Sequence, residues 1–120
     1  MPRIGIVAGE SSGDQLGAAL MRELREMCPD VEIIAMAGPK MRAEGCHEIA
    51  RAEDLSVMGI VEVLKKYPQL RQLRERLVGQ FSGAKLDAFV GIDVPDFVIN
   101  IESRLRQQGI PSCHYVAPQV

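Results

Sequence analysis

Two hydrophobic rhythms alternate along this chain. Residues 3–8, RIGIVA, form a short β-branched run ending at Gly9, which predicts a buried strand followed by a turn. After Gly13 the apolar positions Leu16, Leu20, Leu24 and Met27 recur at three-to-four spacing, with Ser12 or Asp14 available as N-cap, so a helix is expected to about Cys28. Pro29 and Asp30 make a turn, and residues 31–36, VEIIAM, read as a second strand. Gly38-Pro39-Lys40-Met41 opens a short helical turn that stops at Gly45, and a short strand follows near residues 47–50. From Leu55 the pattern is helical again, split or kinked at Pro68, which lacks the amide donor of an interior position. Leu70, Leu73, Leu77 and Phe81 form the apolar stripe of its second half. Residues 86–92, LDAFVGI, predict a buried strand, Pro95 suits the first turn of a helix bearing Val98, Ile101 and Leu105 up to Gly109, and residues 111–116 predict a last strand.

Strands alternating with helices imply a parallel sheet, and right-handed crossovers put helices on both of its faces. The fold class is therefore α/β, Rossmann-like. With 120 residues there is room for one domain or part of one. A hydrophobic fraction of 47% suffices for a core, and a net charge of -2 gives no global case for nucleic-acid binding. No run approaches the roughly 20 apolar residues that span a bilayer. Cys28, Cys46 and Cys113 are odd in number and show no CxxC or Cys/His cluster, so buried thiols in a reducing cytoplasm are expected, and no metal.

Ligands of open parallel sheets bind beyond the carboxyl ends of the strands. Three segments fall there: the loop 9–14, the loop 37–41, and Asp93 to Asp96. The first is no GxGxxG, and Glu10 and Asp14 oppose a phosphate at the helix start, so either a hydroxyl-rich ligand or a plain capped turn fits it. Asp93 closes an apolar strand, where desolvation raises a carboxylate toward general-base duty, while Asp96 suits helix capping. His114, in a strand, is either a hydrogen-bonded core histidine or a site residue; His47 reads as surface. Between Val57 and Leu77, apolar Val57, Met58, Ile60, Val61, Val63 and Leu64 combine with basic Lys65, Lys66, Arg71, Arg74 and Arg76. That density exceeds what one core-facing stripe needs and leaves surface for lipid, though a helix packed on the sheet accounts for most such patterns.

Five motifs in order span nearly the whole chain: AGESSGD (8–14), AGPKM followed by RAEG (37–45), LSVMGIVEVL (55–64), FVGIDVPDF (89–97) and HYVAPQV (114–120). Together they resemble the lipid-A-disaccharide synthases, bacterial two-domain glycosyltransferases of the GT-B type. The resemblance implies that residues 1–120 are an incomplete, acceptor-side, N-terminal Rossmann-like domain, with the UDP-sugar-binding C-terminal domain lying beyond Val120. It implies inverting transfer of diacylglucosamine from its UDP donor to diacylglucosamine 1-phosphate, giving a β-1,6 disaccharide and UDP, with no cofactor and no metal. Asp93 matches the family's proposed general base. Glu10, Ser11, Ser12, Gly13, Asp14, Met58 and His114 are assigned to substrate; Val57, Ile60, Val61, Leu64, Lys65, Lys66 and Arg71 to acyl chains or an anionic membrane surface. The enzyme so implied is cytoplasmic and peripheral on the inner membrane, with a homodimer open, and this segment alone is expected to be inactive. Two departures stand out: Val98 where the family has asparagine, with Asn100 two residues later, and Ala117 where serine is common. A flavodoxin-like flavin-binding module and a non-catalytic interaction domain are the rival readings; the carboxylates of the first loop and the 4% aromatic content oppose the flavin.

Overall fold

The computed structural model describes residues 2–9, 11–53, 63–92 and 95–115. Among them, five strands and four helices run in the order β1 (Arg3–Ala8), α1 (Ser11–Met27), β2 (Glu32–Ala37), α2 (Pro39–Glu44), β3 (His47–Arg51), α3 (Val63–Gly83), β4 (Ala88–Ile92), α4 (Pro95–Gln107) and β5 (Ser112–Tyr115). The strands form one sheet in the order β3-β2-β1-β4-β5, and every pairing is parallel.

This order follows from handedness. The chain steps from β1 outward to β2 and β3, then returns to the other side of β1 and continues to β5. Right-handed crossovers in opposite directions place their helices on opposite faces. One core layer accordingly joins Ile6, Ala8, Ile33, Ala35 and Ile92 of the sheet to Ala18 and Met21 of α1 and Met41 of α2. The other joins Val7, Met36 and Phe89 to Leu73, Leu77 and Phe81 of α3 and to Val98, Ile101 and Leu105 of α4. Adjacent residues of β1 thus feed different layers, which is why the strand is continuously apolar after Arg3 and does not alternate. In the second layer the rings of Phe81 and Phe89 meet edge to face, with centroids 5.1 Å apart, a geometry that adds about 0.5 to 1.5 kcal/mol beyond burial.

Three expectations need correcting. Helix α3 is not split at Pro68 but continues through it, because a single proline forgoes one amide bond while Leu73, Leu77, Val78 and Phe81 anchor the following turns in the core. Residues 11–14, placed in a loop by the sequence, form the first turn of α1, so neither Ser12 nor Asp14 is its N-cap. The thiols are not buried: Cys28 and Cys46 are half-buried and Cys113 is exposed, since it lies on β5 at the sheet edge. Val57, Ile60 and Val61, assigned to acyl contact, and Met58, assigned to substrate, lie outside the described residues. Further along α3, Arg71 and Arg76 are exposed opposite the buried stripe, the ordinary arrangement for a helix packed on a sheet. No helix among the described residues is long and apolar enough to cross a membrane.

Candidate functional site

Chain direction reverses between β1 and β4, which lie side by side in register from Ile4 opposite Ala88 to Ala8 opposite Ile92. Crevices of open α/β sheets form at such a reversal, outside the carboxyl ends of the two strands. In sequence, α1 begins at Ser11 soon after the end of β1 at Ala8, and α4 begins at Pro95 soon after the end of β4 at Ile92. Two of the motifs singled out in the sequence, AGESSGD and FVGIDVPDF, are therefore neighbours across the sheet although some 80 residues separate them. Glu10 and Asp93 themselves lie outside the described residues.

Asp14 is committed to a different task. Its carboxylate is buried, at 3% exposure, and accepts the backbone N–H of Lys40 at 2.8 Å and of Met41 at 2.9 Å. These are orphan donors of the first turn of α2, whose N-cap residue, Gly38, has no side chain to offer them. A carboxylate from α1 thus caps α2 across 26 residues of sequence. Gly38 is what permits the approach, since a Cβ there would fall 2.5 Å from the Asp14 carboxyl carbon. Three turns along α1, Arg25 donates to the carbonyls of Glu44 and Gly45 at the other end of α2. A negative group at the N-terminus of α2 and a positive one at its C-terminus both oppose the helix dipole favourably. Residues 37–41, placed in a loop by the sequence, are instead the end of β2 and the first turn of α2, and the bonds to Asp14 hold that turn against α1. On the far side of α2, Arg42 donates to Glu48 at 2.9 Å, to Glu53 at 3.2 Å and to the Ala37 carbonyl at 3.2 Å. Hydrogen bonding to Glu48, and then to Glu53, raises the pKa of the guanidinium.

Of the remaining assigned residues, Ser12 is exposed and Gly13 buried in the first turn of α1. His114 stands opposite Gly91 in the β4–β5 register, and its Nδ1 lies 2.7 Å from Oε2 of Glu102. Glu102 is 4% exposed and was not singled out in the sequence. A signal existed: Val98, Ile101 and Leu105 mark the inner stripe of α4, and Glu102 sits on that stripe, four residues after Val98. Val98, the departure from the family pattern, is fully buried and packs over Gly91, where a Cβ would fall 1.9 Å from its methyl carbon. Asn100 is exposed.

A cleft of about 570 Å³ lies at the opposite, amino edge of the strands, among Arg3, Arg25, Glu32, Cys46 and His47. His47 is exposed, as expected. The charges of this cleft are already spent: Arg3 pairs with Glu32 at 2.8 Å and Arg25 holds the end of α2. No group of three or more His, Cys, Asp or Glu that could hold a metal occurs among the described residues.

The model of the lipid-A-disaccharide synthetase family matches residues 4–120. Lipid-A-disaccharide synthase of Pectobacterium carotovorum subsp. carotovorum is 53% identical over 117 residues, covering 98% of this chain and 30% of the relative. The enzymes of that name from Serratia proteamaculans and Photobacterium profundum are 52% and 51% identical, each over 98% of this chain and 31% of their own length. The chain thus spans about 30% of the length of the curated relatives it matches.

Proposed function

The chain belongs to the lipid-A-disaccharide synthetase family, and on that premise we propose that it forms the acceptor-side portion of a glycosyltransferase of lipid A biosynthesis. The reaction is transfer of diacylglucosamine from UDP to the hydroxyl of diacylglucosamine 1-phosphate, with inversion at the anomeric carbon and departure of UDP. The observation that carries this reading is the juxtaposition of β1 and β4 at the reversal point, which sets the AGESSGD and FVGIDVPDF segments on one crevice. Asp93 removes the proton of the attacking hydroxyl. Glu10, Ser11, Ser12 and Gly13 line the acceptor sugar; Asp14 serves them indirectly, by fixing α2 against α1. Met58 and the apolar and basic residues from Val57 to Arg71 meet the acyl chains at an anionic cytoplasmic membrane surface.

In the full-length enzyme carrying this segment, Asp93→Asn is expected to lower the transfer rate by about 10²- to 10⁴-fold, the usual yield of general-base catalysis. An unchanged rate removes Asp93 from the role. At 30% of the relatives' length, the 120-residue chain alone is expected to bind acceptor without turnover. Flotation with anionic vesicles, weakened by salt, is the expected sign of the membrane contact; flotation that ignores salt or lipid charge refutes it.

A further inference from the structure

A buried carboxylate on a helix face that otherwise packs a core is costly unless something compensates it. Glu102 is such a group, set among fully buried Val98, Ile101 and Leu105 on α4. Its bond is to His114, at 2.7 Å, and the space for it is left by Gly91, where a Cβ would fall 2.5 Å from Oε2. Three elements, β4, α4 and β5, therefore converge to hold one imidazole, and Gly91, which makes room for the pair, lies two residues before Asp93 in sequence.

The pair dictates which ring nitrogen carries the proton. A carboxylate only accepts, so Nδ1–H donates to Glu102, and in the neutral ring Nε2 is left with its lone pair. That Nε2 is buried and has no hydrogen-bond partner among the described residues, although the imidazole as a whole keeps 22% of its surface exposed. An unmet buried acceptor needs a donor to complete it. A sugar hydroxyl carries one, and an ionised phosphate does not.

We propose that Glu102 and His114 form a dyad in which Glu102 fixes the imidazole in its Nδ1–H form and Nε2 accepts a hydrogen bond from a hydroxyl of the acceptor sugar. His114 then contacts substrate and Glu102 is a positioning residue. The dyad selects the hydroxyl-bearing edge of the sugar over its phosphate end. This inference rests on the acceptor lying over β1 and β4, as proposed above.

The test is nitrogen NMR of the uniformly ¹⁵N-labelled full-length enzyme carrying this segment, with His47 as the exposed internal control. The probe is diacylglucosamine 1-phosphate in detergent micelles, compared with micelles alone. In the free chain His114 is expected to show a protonated Nδ1 and a bare Nε2. On adding the probe, the Nε2 resonance should move toward its hydrogen-bonded position while Nδ1 holds. Glu102→Gln should mix the two tautomers and weaken the apparent affinity about tenfold. A protonated Nε2 in the free wild-type chain overturns the dyad without any variant having to fold. So does a probe that shifts the backbone amides of residues 9–14 but leaves Nε2 where it was, and in that case the acceptor-side reading stands. Amides of 9–14 that ignore the probe at every concentration overturn that reading, and the dyad with it.

Discussion

Replacing Asp14 by alanine removes both acceptors that cap α2. The Lys40 N–H lies at an exposed residue and can turn to water, but Met41 is fully buried and its N–H is left unpaired, at about 1 to 3 kcal/mol. Loss of the cap itself costs about 0.5 to 2 kcal/mol. Taken together, Asp14→Ala should cost about 2 to 4 kcal/mol, a large share of the roughly 6 to 18 kcal/mol expected for a chain of this size. The melting temperature should fall by about 8 to 15 °C. Urea and thermal unfolding followed by circular dichroism measure this directly. A double-mutant cycle with Gly38 identifies the cause. Gly38 has φ of -100°, which alanine accepts, so Gly38→Ala suffers from the close approach of its Cβ to Asp14, at 2.5 Å from the carboxyl carbon, 2.8 Å from Oδ2 and 2.9 Å from Cβ. With Asp14 already alanine, the approaches to its carboxyl carbon and oxygen are gone and only the one to its Cβ, at 2.9 Å, remains, so the same substitution should cost less there. The coupling energy should therefore be about 1 to 3 kcal/mol. Additive effects, or an Asp14→Ala variant within about 0.5 kcal/mol of wild type, would refute the capping argument.

Gly91→Ala should destabilise by about 1 to 3 kcal/mol or prevent folding, because its Cβ would press on Val98 and Glu102 at 1.9 and 2.5 Å; pairing it with Val98→Ala should restore part of the loss in urea melts. Glu53 and Glu75 have carboxyls held below the usual range, Glu53 first by its own backbone amide and then by Arg42, Glu75 by Arg104. A depressed folded pKa means stability that is present above the unfolded value of about 4.3 and is lost as pH falls through the folded ones. The urea midpoint should thus drop on acidification below about pH 4, and Arg104→Ala should flatten the part of that slope due to Glu75. Burial pushes the Cys46 thiol up, and Cys113 is exposed, so a thiol-specific reagent at neutral pH should label Cys113 first; equal rates would contradict the placement of these residues.

The layered sheet was legible because its signals are local. A β-branched run, a three-to-four stripe or a glycine after a short helix each occupies a few adjacent residues, and the strands at 3–8 and 47–51 and the stripe Leu73, Leu77, Phe81 lie where those signals put them. Asp14 was misplaced for the opposite reason. Local rules know only one helix start near it, its own, whereas the amides it satisfies belong to residues 40 and 41 and reach it only after the chain has passed through β2. The split expected at Pro68 failed in the same way, since the propensity argument counts the missing amide and not the buried Leu73, Leu77, Val78 and Phe81 that follow it in the helix. Glu102 lies between these cases. Its position on the inner stripe of α4 is visible in the sequence, but its partner His114 is fixed only by β5 pairing beside Gly91. A charged residue on an otherwise apolar helical stripe is thus a local signal of a long-range partner. In a parallel sheet that partner is best sought on the strand that follows the helix, because a right-handed crossover returns the chain directly beneath the face the helix has just covered.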